Sequence, residues 1–126
     1  MGLIVGGTFG GVWTSYTPSL TGFSVQPASV VAEWVRLGPK TFAVKLDMSN
    51  AGGTSNSTAM TITIPFLAKA QNRHLVMGLN NSIYTALECY TAAGSNILTF
   101  YTLAAGVLTN TGGKGAWLAG IIIEEQ

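Results

Sequence analysis

Histidine, cysteine and the carboxylates carry most acid–base, nucleophilic and metal chemistry, and this chain holds one histidine, one cysteine and five carboxylates in 126 residues. The carboxylates, Glu33, Asp47, Glu88, Glu124 and Glu125, are scattered. Proton transfer and covalent catalysis need a second titratable group within reach of the first. A zinc site needs three or four ligands at characteristic spacing, and His74 has no Cys, His or carboxylate so placed. Cys89 lacks a disulfide partner in the chain and lies in a strand-like run, where a cysteine behaves as a small buried hydrophobe. Two carboxylates suffice for glycoside hydrolysis, so Glu33 with Asp47 or Glu88 is the one catalytic pairing left, provided about 5–10 Å separates them in a groove. Gly6-Gly7-Thr8-Phe9-Gly10-Gly11 follows no strand, opens no helix and is closed by no Lys-Ser or Lys-Thr, so it is not a phosphate loop. The chain is therefore expected not to be an enzyme and to hold neither cofactor nor metal.

Trp13, Tyr16, Trp34, Tyr84, Tyr90, Tyr101 and Trp117 are rings suited both to protein interfaces and to stacking on sugars. Exposed and aligned Tyr84, Tyr90 and Tyr101 would mark a stand-alone carbohydrate-binding module. That is the main rival, from another functional class, to a structural role.

The elements that must position these groups are strands. Phe42, Val44, Leu46 and Met48 alternate with Thr41, Ala43, Lys45, Asp47 and Ser49, and Met60, Ile62 and Ile64 alternate with Ala59, Thr61 and Thr63 up to Pro65. The loop Asn50–Ser57 joins these two runs into an expected long-looped hairpin. Val30–Leu37 ends in Gly38-Pro39-Lys40, a tight turn into the Thr41 strand. Further strands are expected at Val12–Thr17, His74–Leu79, Ile83–Tyr90, Ile97–Leu103 and Ala116–Ile123, and Phe66–Arg73 alone has room for a helical turn. About eight strands without βαβ alternation predict an all-β fold, a single antiparallel β-sandwich or jelly roll. Residues 1–11 read as a Gly-rich flexible arm, and residues 12–126 as one domain.

Only 9% of residues are charged, against about 25% in an ordinary soluble domain, and 48% are hydrophobic. Such a surface suits a subunit that buries part of itself against other protein. The net charge of +1 has no basic cluster and predicts no nucleic-acid partner. No apolar run reaches the ~20 residues of a membrane span, and Met1–Gly7 lacks the basic start of a signal peptide. Neither membrane insertion nor export is expected.

The stretch Trp13-Thr14-Ser15-Tyr16-Thr17-Pro18-Ser19-Leu20-Thr21-Gly22-Phe23 is followed by Val31-Ala32-Glu33-Trp34-Val35-Arg36-Leu37-Gly38, and later by Thr61-Ile62-Thr63-Ile64-Pro65-Phe66. This order resembles the small β-sandwich modules of bacteriophage tail-fibre and minor tail proteins over about Trp13 to Phe66. The resemblance implies a non-enzymatic virion structural protein, made in the host cytoplasm and assembled as a homotrimer with other virion proteins. A tail-fibre, tail-tip or host-adsorption subunit is implied, with a host surface glycan as a further partner; a capsid decoration protein that stabilises the head is the alternative. On that basis, Leu3, Ile4, Val5 and Phe9 of the arm and Ile121, Ile122 and Ile123 of the last strand are expected near subunit contacts. Asn50, Thr54, Asn56, Asn110 and Lys114 are expected on loops that face a partner.

Overall fold

In the run that alternates most strictly, Phe42, Val44, Leu46 and Met48 are buried while Asp47 is exposed and Lys45 half-exposed. The same two-residue period organises the whole chain. The computed structural model describes residues 11–49, 51–103 and 106–126, and among them there is no helix. Eleven strands form: β1 (Thr14–Ser15), β2 (Leu20–Thr21), β3 (Phe23–Val25), β4 (Val30–Gly38), β5 (Thr41–Met48), β6 (Gly53–Ser55), β7 (Thr61–Thr63), β8 (Asn72–Asn80), β9 (Ile83–Thr91), β10 (Ile97–Thr102) and β11 (Gly113–Glu124). All pairings are antiparallel, in the order β1-β4-β5-β11-β8-β9-β10-β7-β2, with β6 joining β3 to the start of β11.

This sheet curls into a half-barrel, and the sequence dictates the curl. Ser15 in β1 at one edge and Leu20 in β2 at the other are five residues apart, so at most about 18 Å of chain separates them. Tyr16 links the two edges: its amide donates to Ala32 O at 3.0 Å and its hydroxyl to Thr63 O at 3.1 Å. The concave side holds the core, including Phe42, Leu46, Ile62, Leu87, Leu98, Phe100, Leu118 and Ile123. Trp34 and Phe42 both pack edge-on against Phe66, with ring centroids 5.0 and 5.1 Å away.

The expected β4–β5 hairpin forms across Gly38–Thr41, and β8 and β9 form a second across Asn81-Ser82. The long-looped hairpin does not: β5 lies between β4 and β11, and β7 between β10 and β2. The connecting residues supply the reason, since Gly53–Ser55 become β6 and Ser55 Oγ donates to Thr109 O at 2.9 Å, carrying the chain away from β5. Phe66–Arg73 is extended rather than helical, because its backbone pairs with the chain's end: Lys69 N–H donates to Glu124 O and Gln126 N–H to Leu67 O. The short strands β2, β3 and β6 are additions to the eight expected, and the Val12–Thr17 strand contracts to Thr14–Ser15. The arm's first ten residues lie outside the described residues.

Candidate functional site

The outer face of the sheet is not evenly covered. β11 pairs with β5 from Trp117 to Glu124, but its ladder with β8 stops after Gly115↔Leu79, Ala116↔Gly78 and Trp117↔Met77. A bulge at Gly120, whose φ of +118° is a left-handed value that glycine tolerates, bends β11 where the two strands part. A Cβ at Gly120 would meet nothing within 4 Å, so the space beside the bulge is open. The result is a groove of about 650 Å³ across β4, β5, β11 and β8.

One cross-strand row forms its floor. Val31 pairs with Asp47, Asp47 with Trp117, and Trp117 with Met77, so four side chains from four strands stand side by side. Glu33, Lys45, Ala119 and Leu75 form the neighbouring part of the lining. The indole of Trp117 is fixed by donation from Nε1 to Met48 O at 2.9 Å, and the exposed ring of Tyr84 stands against it with centroids 5.8 Å apart and planes 39° from parallel. Val31, Leu75 and Met77 are also exposed, Leu75 by 72%.

Charge is distributed unevenly in the same place. Glu125 pairs with Arg36 at 2.5 Å, Glu33 with Lys45 at 3.4 Å, Glu124 with Lys69 at 3.6 Å and Glu88 with Arg73 at 2.7 Å. Asp47 alone among the five carboxylates has no ion-pair or hydrogen-bond partner among the described residues. Glu33 and Asp47 are diagonal neighbours on paired strands, a placement that sets the two residues about 7–8 Å apart. Glu33 is committed to Lys45, and Asp47 is exposed. Glu88 lies in β9, three strands beyond β5, against Arg73. Among the described residues no group of three or more His, Cys, Asp or Glu is placed to hold a metal ion, and no helix is long and apolar enough to cross a membrane.

The aromatic residues fall into two groups on this face. Tyr84 packs on Trp117 beside the groove; Tyr90 and Tyr101 pair with each other at 6.5 Å, with the Arg73 guanidinium 4.7 Å from the centre of Tyr90. The three tyrosines do not form one line of exposed rings, since Tyr90 and Tyr101 are half-buried. Trp13 lies over the Lys45 ammonium at 4.2 Å, beside the groove wall.

The residues expected at contacts are dispersed. Leu3, Ile4, Val5, Phe9 and Asn50 lie outside the described residues. Ile121 and Ile123 point into the core and only Ile122, 55% exposed, is available to a partner, because an extended strand alternates its faces. Thr54, Asn56 and Asn110 are exposed. Lys114 is a correction: it is fully buried, in β11 and not on an outward loop. Its ammonium donates to Ser57 O and Ala59 O, both at 2.7 Å, and lies 5.7 Å from the Phe23 ring. Burial lowers its pKa from 10.5 to about 8. Cys89 is buried in the core, where desolvation, and then the neighbouring Glu88 charge, push its thiol up to about 12.

The groove was not legible as a site beforehand. Asp47 and Trp117 are seventy residues apart, and only the pairing of β5 with β11 makes them neighbours. The available signal was that Lys45 and Asp47 occupy the polar phase of an alternating strand, which marks an outward face without naming what stands beside it.

Compared with known proteins, the chain matches no family model, no curated protein and no solved structure.

Proposed function

We propose that this chain is a non-enzymatic structural subunit of a bacteriophage virion, at a tail fibre, tail tip or other host-adsorption position, and that it works as a homotrimer. The observation that carries the reading is the open outer face of the half-barrel. Val31, Leu75, Met77, Tyr84 and Ile122 remain exposed on it in a chain with only 11 charged residues. A face of this composition is suited to contact with another surface. The word "bacteriophage" rests on the sequence resemblance over Trp13 to Phe66, and so does the finer description of the curled sheet as a sandwich or jelly roll. The groove favours adsorption over head decoration, since a protein that only clamps a capsid has no use for a concave, partly polar recess. Its partners on this reading are further copies of itself and other virion proteins.

Absolute mass by light scattering tests the assembly. Three copies of the 13.1 kDa chain are expected across a hundredfold range of concentration. A monomer throughout overturns the trimer and favours a stand-alone carbohydrate-binding module.

A further inference from the structure

The groove has a direction. Its floor row, Val31–Asp47–Trp117–Met77, runs across four strands, and at about 4.8 Å per strand it extends roughly 14 Å. A peptide adding to the exposed backbone of β11 or β8 would lie along the strands, at right angles to this row. A ligand that uses the row therefore lies across the sheet and is read by side chains.

Those side chains have mixed character. Trp117, held by its bond to Met48 O and braced by the Tyr84 ring tilted against it, offers an aromatic ring to the groove. Asp47 contributes carboxylate oxygens that accept nothing from the described residues, and the Glu33–Lys45 pair on the wall adds further acceptors and donors. With two acidic and one basic side chain the groove carries a net charge of −1, too little to select a strongly charged ligand. A pyranose ring has the matching anatomy, an apolar C–H face and a rim of hydroxyl donors. We propose that this groove binds a saccharide, one ring lying against Trp117 while a hydroxyl donates to Asp47. The inference rests on the adsorption reading above, to which it gives a ligand class and a site.

The test is a heteronuclear NMR titration of the ¹⁵N-labelled full chain. The probes are methyl glycosides and trisaccharides of glucose, galactose, mannose and N-acetylglucosamine. At least one sugar is expected to shift the Trp117 indole N–H and the amides of Asp47, Met77 and Tyr84. Asp47→Ala should weaken that binding about tenfold, the cost of one charge-assisted hydrogen bond, and Tyr84→Ala, which removes the ring bracing Trp117, about fivefold. Both positions are exposed, so the variants should retain the parent spectrum elsewhere; Tyr101→Ala, outside the groove, should bind as the parent does. Absence of these shifts with every sugar overturns the proposal, as does binding that ignores both the Asp47 and the Tyr84 variant. A five-residue peptide of alternating valine and threonine that instead shifts Leu75–Met77 and Leu118–Ile121 also overturns it, in favour of strand addition. A trimer that binds no sugar removes the ligand inference and leaves the assembly reading standing, whereas a monomer that binds sugar does the reverse.

Discussion

Lys114 shows how one side chain ties a corner of the sheet together. Its amine holds the carbonyls of Ser57 and Ala59 against β11, and Gly22 makes room, since a Cβ there would collide with Ala59 O and crowd the Lys114 amine. A neutral amine has two N–H groups for these two acceptors, so deprotonation keeps both bonds and removes the cost of a buried charge. The folded pKa, about 8, lies below the unfolded value near 10.5; between these pH values the unfolded chain binds the extra proton, and stability rises with pH. Lys114→Met should destabilise by about 1–2 kcal/mol at pH 7, where lost hydrogen bonds outweigh relief of the charge. By pH 10.5 the penalty should grow by about 3 kcal/mol, from a shift of about 2.5 units. Urea unfolding of both proteins across pH 7–10.5 checks this, and the difference between them cancels the opposing ionisation of unfolded Cys89 and Tyr16, whose folded pKa values burial raises. A constant difference would remove the linkage. His74 works at the acid end: its Nε2 is buried without a hydrogen-bond partner and burial lowers its pKa. Below about pH 6.5 the unfolded chain protonates first, so stability falls as pH drops. His74→Leu should flatten the urea midpoint between pH 7 and 5.

At the scale of elements, the β8–β9 turn sets two effects of similar size against each other. Asn81 and Ser82 have φ of 50° and 63°, the pair of positive values that defines a type I′ turn and matches the twist of a hairpin. Glycine at the second position would relieve about 1 kcal/mol of backbone strain. The serine Oγ, however, accepts a hydrogen bond from Gly113 N–H at 2.8 Å, also worth about 1 kcal/mol. Ser82→Gly should therefore be nearly neutral, and Ser82→Ala, which keeps the strain and loses the bond, should cost about 1 kcal/mol more in thermal or denaturant unfolding. Equal costs for the two would deny the strain. The Gly38-Pro39-Lys40 turn was legible in the sequence because it is local chemistry, and so were the two strands, His74–Leu79 and Ile83–Tyr90, that flank the Asn81-Ser82 turn. β3 and β6 were not, since a three-residue strand has too few alternations to carry a period. Lys114 was misplaced for the same reason: its surroundings, Gly112-Gly113-Lys114-Gly115, compose as a loop, and only the pairing of β6 with β11 buries them. Pairing partners distant in sequence, such as Asp47 and Trp117, leave no periodic trace at all.

The proposed assembly and the proposed ligand would share the outer face, so their places on it must differ. The groove lies where β11 parts from β8; Ile122 lies further along β11, opposite Ala43, on the other side of the Gly120 bulge. Ala43 and Val35, which share its face, are small or already covered, so Ile122 is the apolar side chain this end presents. Ile121 and Ile123 on either side are buried, so adjacent residues of one β-branched run serve different purposes, and substitution separates them. Ile122→Lys leaves the core untouched and should keep the parent's thermal transition within a few degrees, since exposed substitutions usually change stability by no more than about 0.5 kcal/mol. If this end of the sheet is the subunit contact, three lysines brought together there should shift the light-scattering mass from trimer to monomer. Ile123→Lys places an unpaired charge in the core and should prevent folding outright. A folded Ile122→Lys trimer would move the contact elsewhere on the molecule, with the exposed Thr54, Asn56 and Asn110 as the next positions to substitute.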